Sequence, residues 1–146
     1  ISTDISQSIL SFQKKIYKDK FKYINLETEK IDSIINNLNL KNKKILIFSD
    51  ACLQYLSSYS IEIFFKKLQK IELSFLFFMN EPIFLPDYNK LSEQNLTIHK
   101  GLTAFTHNYN LYAKKNNLKV EKNFITKPFD SGPRIDLGIE YLLIKN

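Results

Sequence analysis

The chain has 146 residues, 44% of them hydrophobic and 25% charged, with a formal net charge of +6. That length supports one domain with a core of its own, and that balance excludes wholesale disorder. The charge does not mark a nucleic-acid face: Arg134 is the only arginine among 21 basic residues, and base and phosphate recognition favours arginine's planar fork over scattered lysines.

The remaining bounds are quickly drawn. Lys, Asn and Ile together make up 53 of the 146 residues, as codon bias from an A- and T-rich genome would produce. The longest apolar run, Phe75 to Met79, is far too short to cross a bilayer. The chain begins at Ile1 with no signal sequence, which reads as a piece of a longer protein. Cys52 is the only cysteine, so no disulfide framework arises, and its apolar neighbours predict a buried thiol. His99 and His107 have no His or Cys at ligand spacing. His107, between Thr106 and Asn108, is expected at a helix start.

In chain order, "STD" offers a cap for a leading helix with Ile5, Ile9, Phe12 and Ile16 on one face. Residues 1–20 thus read as a leading helix or linker, and residues 21–146 as the domain. "KYINLE" (22–27) predicts a short strand. Thr28 then caps a helix bearing Ile31, Ile34, Ile35 and Leu38. "KKILIFSD" (43–50) is the clearest strand, apolar through its middle as a strand buried on both faces should be. A helix through Ile61, Phe64, Phe65 and Leu68 leads to the strand "IELSFLFFMN" (71–80), after which Pro82 and Pro86 break the chain. A short helix around 87–94 precedes the strand "LTIHKGLTA" (96–104). "HNYNLYAKKNN" is a helix stopped by its Asn pair. "VEKNFITKPF" is the fifth strand. Asp130 or Ser131 caps a last helix, with Pro133 in its first turn and Ile135, Ile139, Leu142 and Leu143 on its buried face.

Strands alternating with helices predict an α/β fold: a flavodoxin-like (βα)5 open parallel five-stranded sheet with helices on both faces, plus the extra N-terminal helix. Ligands of such sheets bind at the carboxyl ends of the strands.

At two of those ends stand "LTAF" and, 24 residues on from Thr103, "ITKPFD" with Lys127. The pair resembles the receiver domain of two-component signalling, the response-regulator fold, sharply over 96–146 and only in element order before that. The resemblance implies switch-like roles for Thr103, Lys127 and Pro128, with a cis peptide before the proline. It implies an acidic cation-binding pair, for which Glu27 and Asp50 are the candidates. It also implies a phosphoacceptor Asp on the third strand. Phe78 stands at that position, and only Asn80 and Glu81 are polar nearby. Either "KYINLE" or "KKILIFSD" serves as first strand, and neither register supplies the missing Asp.

The leading expectation is therefore a degenerate pseudo-receiver, a non-enzymatic signalling module of a phosphorelay, from a hybrid histidine kinase. Its partner would be a histidine kinase or another receiver or output domain of the same chain, with a homodimer allowed. Neither nucleic acid nor membrane is touched by this domain, and the setting is cytoplasmic, or the cytoplasmic part of a membrane-bound kinase. No cofactor is expected, and Tyr109, Tyr112 and Phe129 lie near the contact face. Two alternatives stand beside it. One is an active receiver, with Mg²⁺, phosphorylated on Glu81 or Asp50. The other is a small α/β methyltransferase-like enzyme, in which "LKVEKNFITKPFDSGPRIDLGIEYLLIKN" forms a closing strand pair. Against the latter, such an enzyme needs a Gly-rich turn after its first strand, and Gly101, Gly132 and Gly138 all lie in the last third.

Overall fold

Two runs of alternating burial, Phe75–Phe84 and Leu137–Lys145, decide the architecture. A computed structural model of the protein describes residues 2–4, 7–18, 23–25, 30–38, 45–101, 104–128, 131–132 and 134–145. Its elements are β1 (Ser2–Asp4), α1 (Gln7–Tyr17), β2 (Tyr23–Asn25), α2 (Ile31–Asn36), β3 (Ile45–Asp50), α3 (Ser58–Gln69), β4 (Phe75–Phe84), α4 (Leu85–Tyr88), β5 (Thr97–Lys100), β6 (Ala104–His107), α5 (Tyr109–Lys115), β7 (Lys119–Thr126) and β8 (Leu137–Lys145). The main sheet has the order β3-β4-β8-β7, while β1-β2 and β5-β6 form two-stranded sheets of their own.

Only β3 and β4 in the main sheet run parallel; β8 is antiparallel to both β4 and β7. This corrects the flavodoxin-like parallel five-stranded sheet. The error has two local causes. "LTIHKGLTA" is not one strand, because Gly101, at φ +66, turns it into the antiparallel hairpin β5–β6. The expected last helix is the strand β8, which buries every second residue from Gly138 to Ile144. Ile139, Leu142 and Leu143 fit a helical repeat as well as a strand, so periodicity alone misassigned them. The slot between β4 and β7 decides the matter, since a strand there pairs backbone groups on both of its sides.

Among the described residues, α3 and α5 pack together on one face of the main sheet. Ile61, Phe64, Phe65 and Leu68 of α3 meet Phe75, Phe77 and Met79 of β4 and Leu142 and Ile144 of β8. Tyr109, Tyr112 and Ala113 of α5 join them, with Phe65 stacked on Tyr112 at 5.9 Å between ring centroids. Tyr109 and Tyr112 are thus buried core residues rather than contact-face aromatics, and Phe129 lies outside the described residues. Ion pairs brace the layer from outside: Glu62 bridges Lys66 of α3 and Lys115 at the end of α5, and Lys67 reaches Asp32 of α2 at 3.2 Å. The Asn-Asn stop after α5 is present, with Asn117 in the left-handed region at φ +55. Phe12 and Ile16 of α1, expected on a buried face, are exposed.

Gly138 is the point of closest approach in β8. A methyl group there would come within 2.8 Å of the Leu85 side chain and 3.2 Å of Ile83. Gly138→Val is expected to cost about 1–3 kcal/mol through overpacking, read as a lower urea midpoint with an unchanged slope.

Candidate functional site

The carboxyl end of β3, beside Glu81 of β4, carries a dense polar cluster among the described residues. After Asp50 the chain turns at Ala51, a non-glycine residue at φ +52, and passes through a 3-10 turn, Leu53–Tyr55, before Ser57 caps α3. A left-handed alanine costs about 1–2 kcal/mol, so something must hold it. That something is Glu81. Its side chain is fully buried on the helix-covered face, and its carboxylate accepts from Ser49 Oγ at 2.6 Å, Cys52 N at 3.1 Å, Leu53 N at 3.0 Å and Gln54 N at 3.3 Å. Burial pushes this carboxyl above the usual range, against the pull of those four donors.

Glu140 stands directly opposite Glu81 on β8, also fully buried. Neither of its oxygens has a hydrogen bond of full geometry; the Tyr88 hydroxyl, the Asn110 and Tyr109 N–H groups and the Asn123 amide face it. Burial raises its pKa to about 8, so it holds a proton at neutral pH. The Tyr109 hydroxyl, buried and without a hydrogen bond, is pushed up as well, by burial first and the two carboxylates second.

The same loop is held from its other side by His107. Its Nε2 lies 3.1 Å from the Leu56 carbonyl, which can only accept, so Nε2 carries the proton. Nδ1 then accepts from Thr97 Oγ1 at 2.8 Å, and Thr97 accepts in turn from the Tyr112 hydroxyl at 2.8 Å. His107 closes β6 rather than opening a helix; Asn108 is the cap of α5. Burial lowers the His107 pKa to about 4, fixing the neutral ring.

The structure redistributes the residues singled out from the sequence. Phe78, Asn80 and Asp50 lie on the opposite sheet face from Glu81, with Asp50 paired in register to Asn80 and exposed. Glu81 is a structural clamp whose oxygens are already occupied. Lys127 and Pro128 follow the end of β7, exposed, and their peptide is not cis. With β8 between β7 and β4, two strand spacings of about 4.8 Å separate Lys127's strand from β4. Thr103 and Glu27 lie outside the described residues, so neither the Thr103–Lys127 crevice nor the Glu27–Asp50 pocket can be placed. Cys52 is exposed, not buried, because the 3-10 turn faces its side chain outward, its Sγ 3.1 Å from the Asp50 carbonyl. Among the described residues no three His, Cys, Asp or Glu side chains gather as a metal site, and no helix is long and apolar enough to cross a membrane. The buried partners Glu140 and His107 escaped sequence reading; a Glu in an otherwise apolar strand, "GIEYLLI", was the one available signal.

None of the three glycines sits at the end of a parallel strand. Gly101 turns β5 into β6, Gly132 (φ +83) lies between β7 and β8, and Gly138 packs inside β8. The N–H groups of the turn after β3 are committed to Glu81.

No family model and no curated protein matches the chain. Solved structures do. A putative sarcosine dimethylglycine methyltransferase from Galdieria sulphuraria superposes with a TM-score of 0.65 at 10% identity, over 98% of this chain and 68% of that one. The N-methyltransferase NodS from Bradyrhizobium japonicum, solved with S-adenosyl-L-homocysteine, gives 0.59 at 8% identity, over 99% of this chain and 64% of that one. A SAM-dependent methyltransferase from Leishmania major gives 0.58 at 14% identity, over 97% of this chain and 53% of that one. The chain thus has the fold of these methyltransferases. The receiver-domain resemblance, with its pseudo-receiver, phosphorelay and hybrid-kinase corollaries, is overturned, and so is the expectation of a non-enzymatic module. The expected kinase or receiver partner loses its premise with that resemblance.

Two measurements test the clamp. Glu81→Gln replaces an acceptor oxygen with a donor that opposes the turn's N–H groups, and is expected to cost about 2–4 kcal/mol in denaturant unfolding. The second is the pH profile. Glu140 binds its proton more tightly folded than unfolded, so stability falls as pH rises from the unfolded value near 4.5 to about 8. His107 binds its proton less tightly folded, so stability falls as pH drops from 6.5 to about 4. The two oppose each other in between. Above pH 6.5 only the acid side remains, with a loss of at most about 1.4 kcal/mol per pH unit for each such carboxyl. Glu140→Gln is expected to flatten the decline between pH 6.5 and 8.

Proposed function

We propose that the chain belongs to an S-adenosylmethionine-dependent methyltransferase and supplies the half of its sheet that ends in the antiparallel closing pair. The single observation carrying this reading is the strand order β3-β4-β8-β7, two parallel strands finished by an antiparallel hairpin. The superpositions on methyltransferases support it. The closing pair β7–β8 is formed by the very tail that the methyltransferase alternative singled out.

The described residues do not make a complete seat for the methyl donor. Close approach of backbone to such a group calls for glycine at a strand-end turn, and none of the three glycines stands there. Asp50 and the loop it opens, with exposed Tyr55 and Tyr59 beyond it, form the strand-end rim where an open α/β sheet meets its ligands. Glu81 and His107 hold that rim rigid from beneath. Their work is positional, since both are buried and fully engaged with the loop and its supports.

The test is a titration of S-adenosylhomocysteine into the complete polypeptide, followed by calorimetry and thermal unfolding. Saturable binding is expected, with stabilisation of about 2.7 kcal/mol at a hundredfold excess over Kd. Absence of both heat and a shift in Tm would sink the proposal.

A further inference from the structure

The loop that joins β3 to α3 has its backbone donors occupied from within. Ala51 N–H donates to the Asn80 carbonyl, and those of Cys52, Leu53 and Gln54 donate to the Glu81 carboxylate. Tyr55 N–H closes on Cys52 and Leu56 N–H on Leu53. Six consecutive N–H groups are thus engaged, and an anion held at a strand-end turn needs such groups open. The Gln54 amide closes on Ala51, and the Ser57 hydroxyl on Ser60. No base stands in for these donors. Residues 45–65 and 71–89, which include the carboxyl ends of β3 and β4, contain five carboxylic acids and no Lys, Arg or His, in a chain with 21 basic residues. Among the described residues Glu62 pairs with Lys66 and Lys115, and Asp87 with Lys90, whereas no cation pairs with Asp50. The exposed side chains of the loop are Asp50, Cys52, Tyr55, Ser58 and Tyr59, the two rings at 60% and 69%. A carboxylate and the negative faces of aromatic rings attract the same thing, a cation.

We propose that this loop binds an organic cation, with Asp50 answering its charge and Tyr55 and Tyr59 presenting ring faces to its alkyl groups. The consequence for function rests on the methyltransferase reading: the methyl acceptor is an amine, recognised in its ammonium form. An acceptor recognised through a phosphate or a carboxylate finds neither an open N–H nor a base in this loop. The clamped backbone suits the task, since Glu81 and His107 already fix it and binding need not order it. One other onium group belongs to the same chemistry, the sulfonium of a methyl donor, and the experiment separates the two.

The probe is choline, an alkylammonium ion, titrated into the complete polypeptide while the tyrosine ring resonances are followed by NMR. Its counterpart, 3,3-dimethylbutan-1-ol, has the same shape without the charge. Choline is expected to shift Tyr55 and Tyr59 saturably, and the alcohol to leave them in place. Asp50→Asn, Tyr55→Leu and Tyr59→Leu are each expected to weaken choline binding about two- to fivefold. All three residues are exposed, so the fold is left intact. Glu62→Gln, whose carboxylate is already paired, leaves the affinity unchanged. An equal response to the alcohol, or an unaltered Kd in Asp50→Asn, overturns the proposal. So does acetate or phosphate shifting the same rings. Competition then assigns the cation. Choline that binds alongside saturating S-adenosylmethionine marks the acceptor's place. Choline displaced by S-adenosylmethionine but not by S-adenosylhomocysteine marks the sulfonium, and overturns the amine assignment. The two readings fail separately. Choline binding without S-adenosylhomocysteine binding keeps the cation site and removes the methyltransferase; S-adenosylhomocysteine binding with no response to choline does the reverse.

Discussion

One carboxylate governs the working end of this molecule. Glu81 projects from β4 into the covered side of the sheet and gathers four donors, three of them backbone N–H groups of the turn that follows β3. A buried acceptor without those donors would cost several kcal/mol, and a turn with a left-handed alanine would open without the acceptor. Each makes the other tolerable. His107 adds a second tether at Leu56, so the loop is fixed at both ends by groups from different strands. The conformation of the loop after β3 is therefore set by the core.

Two carboxyls side by side in an apolar layer invite a different account, in which they form a catalytic pair. The geometry argues against it. Glu81 and Glu140 sit beneath α5 on the covered face, fully buried, and the charged form of one makes the charged form of the other harder to reach. Glu140 resolves this by staying protonated. The pair is better described as one carboxyl whose oxygens are taken up by the turn and one protonated neighbour.

Much of the fold was legible in the residues. The α3 face, the strands "ILIFSD" and "FLFFMN" and the Asn stop after α5 all follow from periodicity and cap chemistry. The topology was not, because it hinged on two short segments where local signals conflict. Gly101 could be a strand glycine or a hairpin turn, and "LGIEYLLIK" satisfies both a 2-residue and a 3.6-residue repeat. Choosing strand-through and helix made "LTAF" and "TKPFD" look like parallel strand ends, and the receiver resemblance followed from that choice. The closing strand pair was the competing reading of the same tail, and backbone pairing with β4 favours it. The buried Glu140 and the His107 chain were illegible, since a lone acid or imidazole in a sequence does not reveal which side of a strand it occupies.

The outward turn of Cys52 has a practical corollary. It is the sole thiol of the chain, it is exposed, and its own N–H is bound to the Glu81 carboxylate. A maleimide dye or nitroxide would attach at one address, on the rim itself and one bond network away from its anchor. Its mobility would then act as a gauge of whether the clamped loop stays locked.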